Sequence, residues 1–198
     1  MLPPLKASGF RAVLVAACAV SIATVSDGLI YLVLQRQLAF DPARLTLLFV
    51  GTSLCYFLLA GPFGVLADRV GPRRLFVAGH VLLLLVYGLL WQGATGPAGV
   101  GACLLLLGAY YAATDGILAA MAATALPEDV RATGLGMLAT CTTAARGIAA
   151  VAFGALWTYG SSRSALAVAA VTLATGIALA IHQLRRFPAV PALPGVTP

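Results

Sequence analysis

Residues 23–32 read ATVSDGLIYL, and residues 112–121 read AATDGILAAM. Both stretches are apolar, and both contain one short phrase: a hydroxyl residue, an aspartate, a glycine and two aliphatic residues. The aspartates are Asp27 and Asp115. A carboxylate near the middle of a bilayer costs about 2.5–3.5 kcal/mol on insertion scales, so such residues usually face protein or water. If these stretches lie in a membrane, the repeated phrase predicts a polar feature that two helices share.

The composition places the chain in a membrane. Of its 198 residues, 61% are hydrophobic and 9% are charged, and the mean hydropathy is +1.00. A soluble domain of this size could not bury so much apolar surface, so we predict an all-α integral membrane protein. A helix needs roughly 20 apolar residues to cross a bilayer. The predicted spans are 12–34, 45–67, 75–92, 100–126, 134–159 and 165–184.

The distribution of Lys and Arg predicts the orientation of these spans. One side carries Lys6, Arg11, Arg69, Arg73, Arg74, Arg131, Arg185 and Arg186, and the other carries Arg36, Arg44 and Arg163. Eight basic residues against three place both termini in the cytoplasm, in a multi-pass protein of the cytoplasmic membrane. This topology also accounts for the net charge of +6, so no nucleic-acid partner is predicted. Residues 1–187 form the predicted membrane domain, and 188–198 a Pro-rich cytoplasmic tail.

The sequence shows no sign of a metal site, a cofactor or an enzyme. All four cysteines lie inside apolar runs without a partner at metal-binding spacing, so we interpret them as packing residues. His80 has no second histidine or carboxylate near it in sequence, and we expect it to pack. Neither H-E-x-x-H nor G-x-S-x-G occurs in the chain.

Polar residues follow one face of the first predicted span. Ser21, Thr24, Asp27, Tyr31 and Gln35 are three or four residues apart, which would place them on one side of a continuous helix. Such a stripe should face protein or a wet cavity. In the fourth span, Tyr111 precedes Asp115 by one turn, and we expect one ring of the pair Tyr110–Tyr111 to face the same cavity.

A third intramembrane charge is Arg146, at the middle of the fifth span. We expect a salt bridge, direct or through water, between Arg146 and either Asp27 or Asp115. Two acids and one base would leave one carboxyl free to carry a proton. The alternative is a buried ion pair that only fixes helix packing. The predicted substrate and proton pathway comprises Thr24, Asp27, Tyr31, Tyr111, Asp115 and Arg146.

The order of the spans indicates an internal repeat. The phrase falls on the first and the fourth span, which are the first helices of two sets of three. Because three is odd, the second set would cross the membrane in the opposite direction. This 3+3 inverted repeat is typical of secondary transporters.

Residues 61–74 read GPFGVLADRVGPRR. From Gly64 onward they resemble the loop 2–3 signature of the major facilitator superfamily, although Pro72 stands where the family usually has Arg or Lys. The stretches TVSDGLIYLVLQ, GAYYAATDGILAA and LPEDVRATGLG are similar to parts of the C-terminal half of bacterial twelve-helix exporters. The resemblance covers nearly the whole chain and implies a six-helix half of that fold.

The resemblance also implies roles for particular residues. In this family the first and fourth helices of each half line the central cavity, which would place Asp27 and Asp115 there. The implied conformational latch comprises Gly64, Asp68, Arg69, Gly71, Arg73 and Arg74. Asp68 is expected to dock on the start of the fifth span of a partner half, around residues 131–136.

The sequence thus predicts a half-size secondary transporter of a small molecule, with proton coupling as an added hypothesis. It would work when paired with a second six-helix half in the lipid bilayer, either a second copy or a separate chain. Two alternatives stay open: a non-transporting membrane subunit for binding or assembly, and a C-terminal fragment of a full-length transporter.

Overall fold

The computed structural model describes residues 3–39, 41–93 and 96–185. Every long element in this part of the chain is an α-helix. The helices are α1 (Ser8–Ser21), α2 (Asp27–Leu38), α3 (Leu45–Val70), α4 (Pro72–Gln92), α5 (Gly96–Thr124), α6 (Glu128–Tyr159) and α7 (Ser162–Arg185). Short 3₁₀ turns at Pro3–Lys6 and Pro42–Arg44 precede α1 and α3. The predicted tail, 188–198, lies outside the described residues.

Helices α3 to α7 are each long and apolar enough to cross a bilayer, and α1 is a shorter apolar helix. The chain is therefore a multi-pass, all-helical membrane protein. Each of the predicted spans from the second to the sixth falls mainly within one helix. Pro62 lies inside α3, which continues past it to Val70.

The first predicted span differs from the structure. Instead of one helix over 12–34, α1 ends at Ser21 and α2 begins at Asp27. The link contains the β-branched residues Ile22, Thr24 and Val25, which lose side-chain freedom in a helix. Ser26 then adopts an extended conformation, with φ −60° and ψ 140°, as residues before a helix commonly do. The expected continuous stripe is thus divided between two segments.

Tyr87 of α4 satisfies the backbone at this break. Its hydroxyl accepts a hydrogen bond from Val25 N at 2.8 Å and donates one to Ala23 O at 2.9 Å. An unsatisfied amide or carbonyl inside a bilayer costs several kcal/mol, so non-helical backbone persists there only where protein or water covers it. A residue distant in sequence therefore allows the chain to interrupt its first apolar segment.

Close helix contacts form the core of the bundle, with α5 packed between α3 and α4. Glycines permit the closest approaches. A Cβ at Gly108 of α5 would lie 2.8 Å from the backbone nitrogen of Tyr56 in α3, and one at Gly79 of α4 would lie 2.9 Å from Cβ of Ala113 in α5. Helices α1 and α4 also pack on α7.

Helix α3 has the fewest buried residues of the long helices. Only Leu48 and Thr52 are buried in it, whereas Phe57 is 76% exposed and Leu47 65% exposed. In a chain that spans the membrane, these outward residues face lipid or another protein. Helix α3 therefore lies at the edge of the bundle.

Candidate functional site

A cavity of about 200 Å³ lies between α2, α3 and α5. It is lined by Asp27, Tyr31, Phe49, Thr52, Ser53, Tyr56, Tyr111 and Asp115. The two aspartates of the repeated phrase therefore meet at one site, although 88 positions separate them in the sequence. Four of the six residues predicted for the pathway line this cavity: Asp27, Tyr31, Tyr111 and Asp115.

Asp27 is held in place by two features. It is the first residue of α2, where the partial positive charge of a helix N-terminus favours a carboxylate. The hydroxyl of Tyr111 on α5 donates a hydrogen bond to Asp27 Oδ1 at 2.7 Å. Hydrogen bonds to an ionised acceptor are stronger than neutral ones. The contact also joins α2 to α5 across the cavity.

Asp115 has a different environment. It lies one turn beyond Tyr111 on α5, in the interior of a helix, and its side chain is exposed. Within the described residues it forms no hydrogen bond or ion pair. Since α5 is a membrane-spanning helix, an exposed carboxylate there requires water or another protein surface beside it.

The α3 wall of the cavity presents aromatic rings and hydroxyl groups. The hydroxyls of Tyr31 and Thr52 are hydrogen-bonded at 2.6 Å, and the Tyr31 ring meets Phe49 edge-on, with 4.6 Å between ring centroids. Tyr56 and Ser53 complete this side. The pair Tyr31–Thr52 is buried and fixes α2 against α3.

The four α3 residues of the cavity were missed by reasoning from the sequence. Phe49, Thr52, Ser53 and Tyr56 lie at positions i, i+3, i+4 and i+7, so one face of a helix carries them all. This spacing was a usable signal. It was obscured because aromatic and small hydroxyl residues are also common in helices that face lipid.

The expected direct salt bridge to Arg146 is not formed. No carboxylate among the described residues lies within 4.0 Å of its side-chain nitrogens, and its Nε is buried without a hydrogen-bond partner. Arg146 does not line the cavity, but its charge acts on both Asp27 and Asp115. The direct form of the predicted pairing is therefore absent among the described residues, and a pairing through water stays a prediction.

Three other polar residues lie away from the cavity. The hydroxyl of Thr24 donates to Val20 O at 3.0 Å within the link between α1 and α2. Tyr110 is buried, and its ring meets that of His80 with 5.4 Å between centroids. His80 is buried as well, with Nδ1 2.9 Å from Phe76 O. Of the tyrosine pair, Tyr111 lines the cavity and Tyr110 packs in the interior.

The predicted latch residues lie around the junction of α3 and α4. Gly64, Asp68 and Arg69 belong to the end of α3, and all three are exposed. Gly71 joins the two helices with φ +90°, a value that side chains disfavour, and its N–H donates to Ala67 O at 2.9 Å. Arg73 and Arg74 lie in the first turn of α4, and Arg73 reaches the end of α7.

The part of the chain that the structure describes contains no group of three or more His, Cys, Asp or Glu side chains suited to a metal ion. The four cysteines are free thiols. The chemistry of the cavity therefore rests on carboxylates, hydroxyls and aromatic rings.

Comparison with known proteins adds one finding. The family model of the Major Facilitator Superfamily matches residues 12–195. No curated protein and no solved structure matches the chain. The family match covers every described helix at least in part and includes all the residues that line the cavity.

Proposed function

Because the chain belongs to the major facilitator superfamily, and is therefore a membrane transporter, we propose that it is one half of a secondary transporter for a small molecule in the cytoplasmic membrane. It works when paired with a second six-helix half. The observation that carries this proposal is the cavity in which Asp27 and Asp115 meet. Intramembrane ionisable residues in transporters usually mark substrate or proton pathways.

The helices fit a six-span half if α1 and α2 together count as one interrupted span. The first set is then α1–α2, α3 and α4, and the second set is α5, α6 and α7. The repeated phrase falls at the start of α2 and within α5, and both helices line the cavity together with α3. Interrupted helices and inverted repeats are both recurrent features of secondary transporters. Both termini would face the cytoplasm.

The open cavity argues for a partner half. Asp115 and Ser53 line it and are exposed, and α3 beside it is largely uncovered. Polar side chains left against lipid would be costly, so another protein surface must enclose them or keep water there. A second copy of this chain, or a separate chain of the same fold, provides such a surface in a two-half arrangement.

The cavity chemistry favours a small organic cation as the substrate. Its lining combines two carboxylates with four aromatic rings, from Tyr31, Phe49, Tyr56 and Tyr111. Aromatic faces and carboxylates both attract ammonium groups. Arg146 compensates one negative charge, so a second positive charge, from a cation or a proton, would neutralise the site. Binding of the cation would displace the proton, and binding of the proton would displace the cation. Such competition for one site is the basis of exchange transport.

A flux assay tests the proposal. Purified protein is reconstituted in liposomes with a pH gradient, and uptake of radiolabelled choline is measured with excess unlabelled choline or its uncharged analogue 3,3-dimethylbutan-1-ol as the competitor. We expect gradient-driven choline uptake, lost in Asp27→Asn and in Asp115→Asn. The control Asp41→Asn changes an exposed acid outside the cavity and should keep full uptake.

The assay also separates the alternatives. If the uncharged analogue inhibited choline uptake as strongly as unlabelled choline does, the cation would be rejected as the substrate class. Choline that binds at Asp27 and Asp115 but is never transported, even when the chain is expressed with its native membrane partners, would instead indicate a non-transporting binding subunit.

A further inference from the structure

We propose that a groove between the start of α4 and the end of α7 binds the headgroup of an anionic phospholipid. The groove has a volume of about 510 Å³ and is separate from the transport cavity. Its lining consists of Arg73, Arg74, Val77, Ile181, Leu184 and Arg185. Three of these six residues are arginines, and none is acidic.

The arginines converge because two distant parts of the chain meet at one end of the bundle. Arg73 Nη1 lies 3.4 Å from Leu184 O, to which it donates, so the first turn of α4 contacts the last turn of α7. Arg74 and Arg185 are exposed on either side of this contact. Three guanidinium groups around one groove repel each other, and a bound phosphodiester would relieve that repulsion. Guanidinium groups also bind phosphate oxygens in a bidentate manner.

The start of α4 adds to the positive potential. The first amides of a helix have no helical acceptor and carry a partial positive charge. In α4 the first turn contains no acidic residue, and no side chain caps it. Helix N-termini of this kind favour phosphate groups. The helix terminus and the arginines therefore act on the same anion.

The apolar half of the groove identifies the ligand as a lipid. Val77 lies one turn inward from Arg73, and Ile181 lies one turn inward from Arg185. Since α4 and α7 both span the membrane, Val77 and Ile181 lie on the hydrocarbon side of the groove, while the arginines lie at the membrane surface. A soluble phosphate would use only the charged mouth. A phospholipid fills both parts, and basic pockets between membrane helices bind anionic headgroups in this way.

The test measures lipid binding to the purified full chain by native mass spectrometry. Phosphatidylglycerol is compared with phosphatidylcholine of the same acyl chains. The first variant, Arg74→Gln/Arg185→Gln, removes two arginines from the groove but keeps Arg73 and its contact with Leu184. The matched control is Arg44→Gln/Arg163→Gln, which removes two exposed arginines from the opposite end of the bundle. We expect the first variant to lose about 30-fold in phosphatidylglycerol affinity, because each arginine near an anionic headgroup contributes about 1 kcal/mol and every 1.4 kcal/mol is a factor of ten. The control should lose less than about twofold.

Two further measurements distinguish a loss of charge from a folding defect, and a bound lipid from a bound soluble anion. Arg74→Lys/Arg185→Lys retains the charge and should recover most of the binding, which a folding defect would not allow. Glycerol phosphate at millimolar concentration supplies the headgroup without acyl chains, and we expect it not to displace the lipid. Displacement by glycerol phosphate would mean a soluble-anion site. Equal affinity for the two lipids, or equal losses in both Gln variants, would overturn the proposal.

Discussion

Asp27 and Asp115 occupy the same position in the repeated phrase but have different surroundings. Asp27 begins α2 and accepts a hydrogen bond from Tyr111, whereas Asp115 lies inside α5 and is exposed toward the cavity. The fixed carboxylate can orient a bound cation, while the exposed one can exchange its partner with little rearrangement. The two carboxylates of the site therefore have different chemical roles, although their local sequences are alike.

The contact between Tyr111 and Asp27 can be tested by removing one hydroxyl. In Tyr111→Phe the cavity keeps its shape, but a charged hydrogen bond worth about 1.5–3 kcal/mol is lost. We expect a lower thermal unfolding temperature in detergent and weaker choline binding. The control Tyr159→Phe removes a hydroxyl from a side chain that is 92% exposed. If both variants unfold at the wild-type temperature, the hydrogen bond contributes nothing.

Arg146 provides a second test at this scale. Because no carboxylate among the described residues contacts it directly, its removal should disturb folding less than breaking a buried ion pair would. Its charge does act on both aspartates, so Arg146→Gln leaves the site more negative. We expect tighter choline binding than in wild type, measured by equilibrium binding in nanodiscs, and no change in Arg163→Gln. Weaker binding in Arg146→Gln would show that the guanidinium supports the site rather than competing for it.

At the scale of elements, the interruption between α1 and α2 positions the site. It allows α2 to begin at Asp27, so that the carboxylate benefits from the partial positive charge of a helix N-terminus. Two side chains then hold α2 near its other end: Gln37 Nε2 donates to Leu90 O at 2.7 Å, and the Arg36 guanidinium lies 4.7 Å from the centre of the Trp157 ring. Side chains thus hold this segment both at the break, through Tyr87, and near the end of α2.

Tyr87 is the residue on which the break depends. Its replacement by Phe leaves Val25 N and Ala23 O without their partner. Each buried polar group left unsatisfied costs about 1–3 kcal/mol. We expect Tyr87→Phe to lower the unfolding temperature more than Tyr111→Phe does, and to increase hydrogen exchange at residues 22–26 in nanodiscs. Unchanged exchange at those amides would mean that the link is held by other contacts.

The sequence predicted the long helices α3 to α7 but not the break between α1 and α2, and the reasons are physical. Hydropathy located the helices that became α3 to α7 because apolar length alone decides whether a segment can span a bilayer. The break after Ser21 carries no proline or glycine, and its hydrogen-bond partner, Tyr87, is 62 positions away from Val25. Four of the eight residues that line the cavity were predicted from the polar phrases. The spacing of Phe49 and Tyr56 indicates a shared helix face, but only the placement of α3 beside α2 shows that this face lines the cavity.

At the scale of the whole molecule, the cavity has walls from α2, α3 and α5 and is open where Asp115 and Ser53 are exposed. A transporter must enclose its substrate from each side of the membrane in turn, so this open face needs a cover. The proposed second half supplies it. The latch at the junction of α3 and α4, with Asp68 exposed, would then contact that half near its fifth span.

Photo-cross-linking in native membranes tests this pairing most directly. A benzoylphenylalanine at Ser53 would face the open side of the cavity. The control is the same residue at Val171 on α7, which is 69% exposed but does not line the cavity. We expect an adduct from position 53 but not from position 171. The adduct would have twice the 20.2 kDa mass of the chain if two copies pair. If the partner half is a separate chain, the adduct would have the summed mass of the two chains. A chain that stays at 20.2 kDa, while choline uptake persists in the same membranes, would contradict the account.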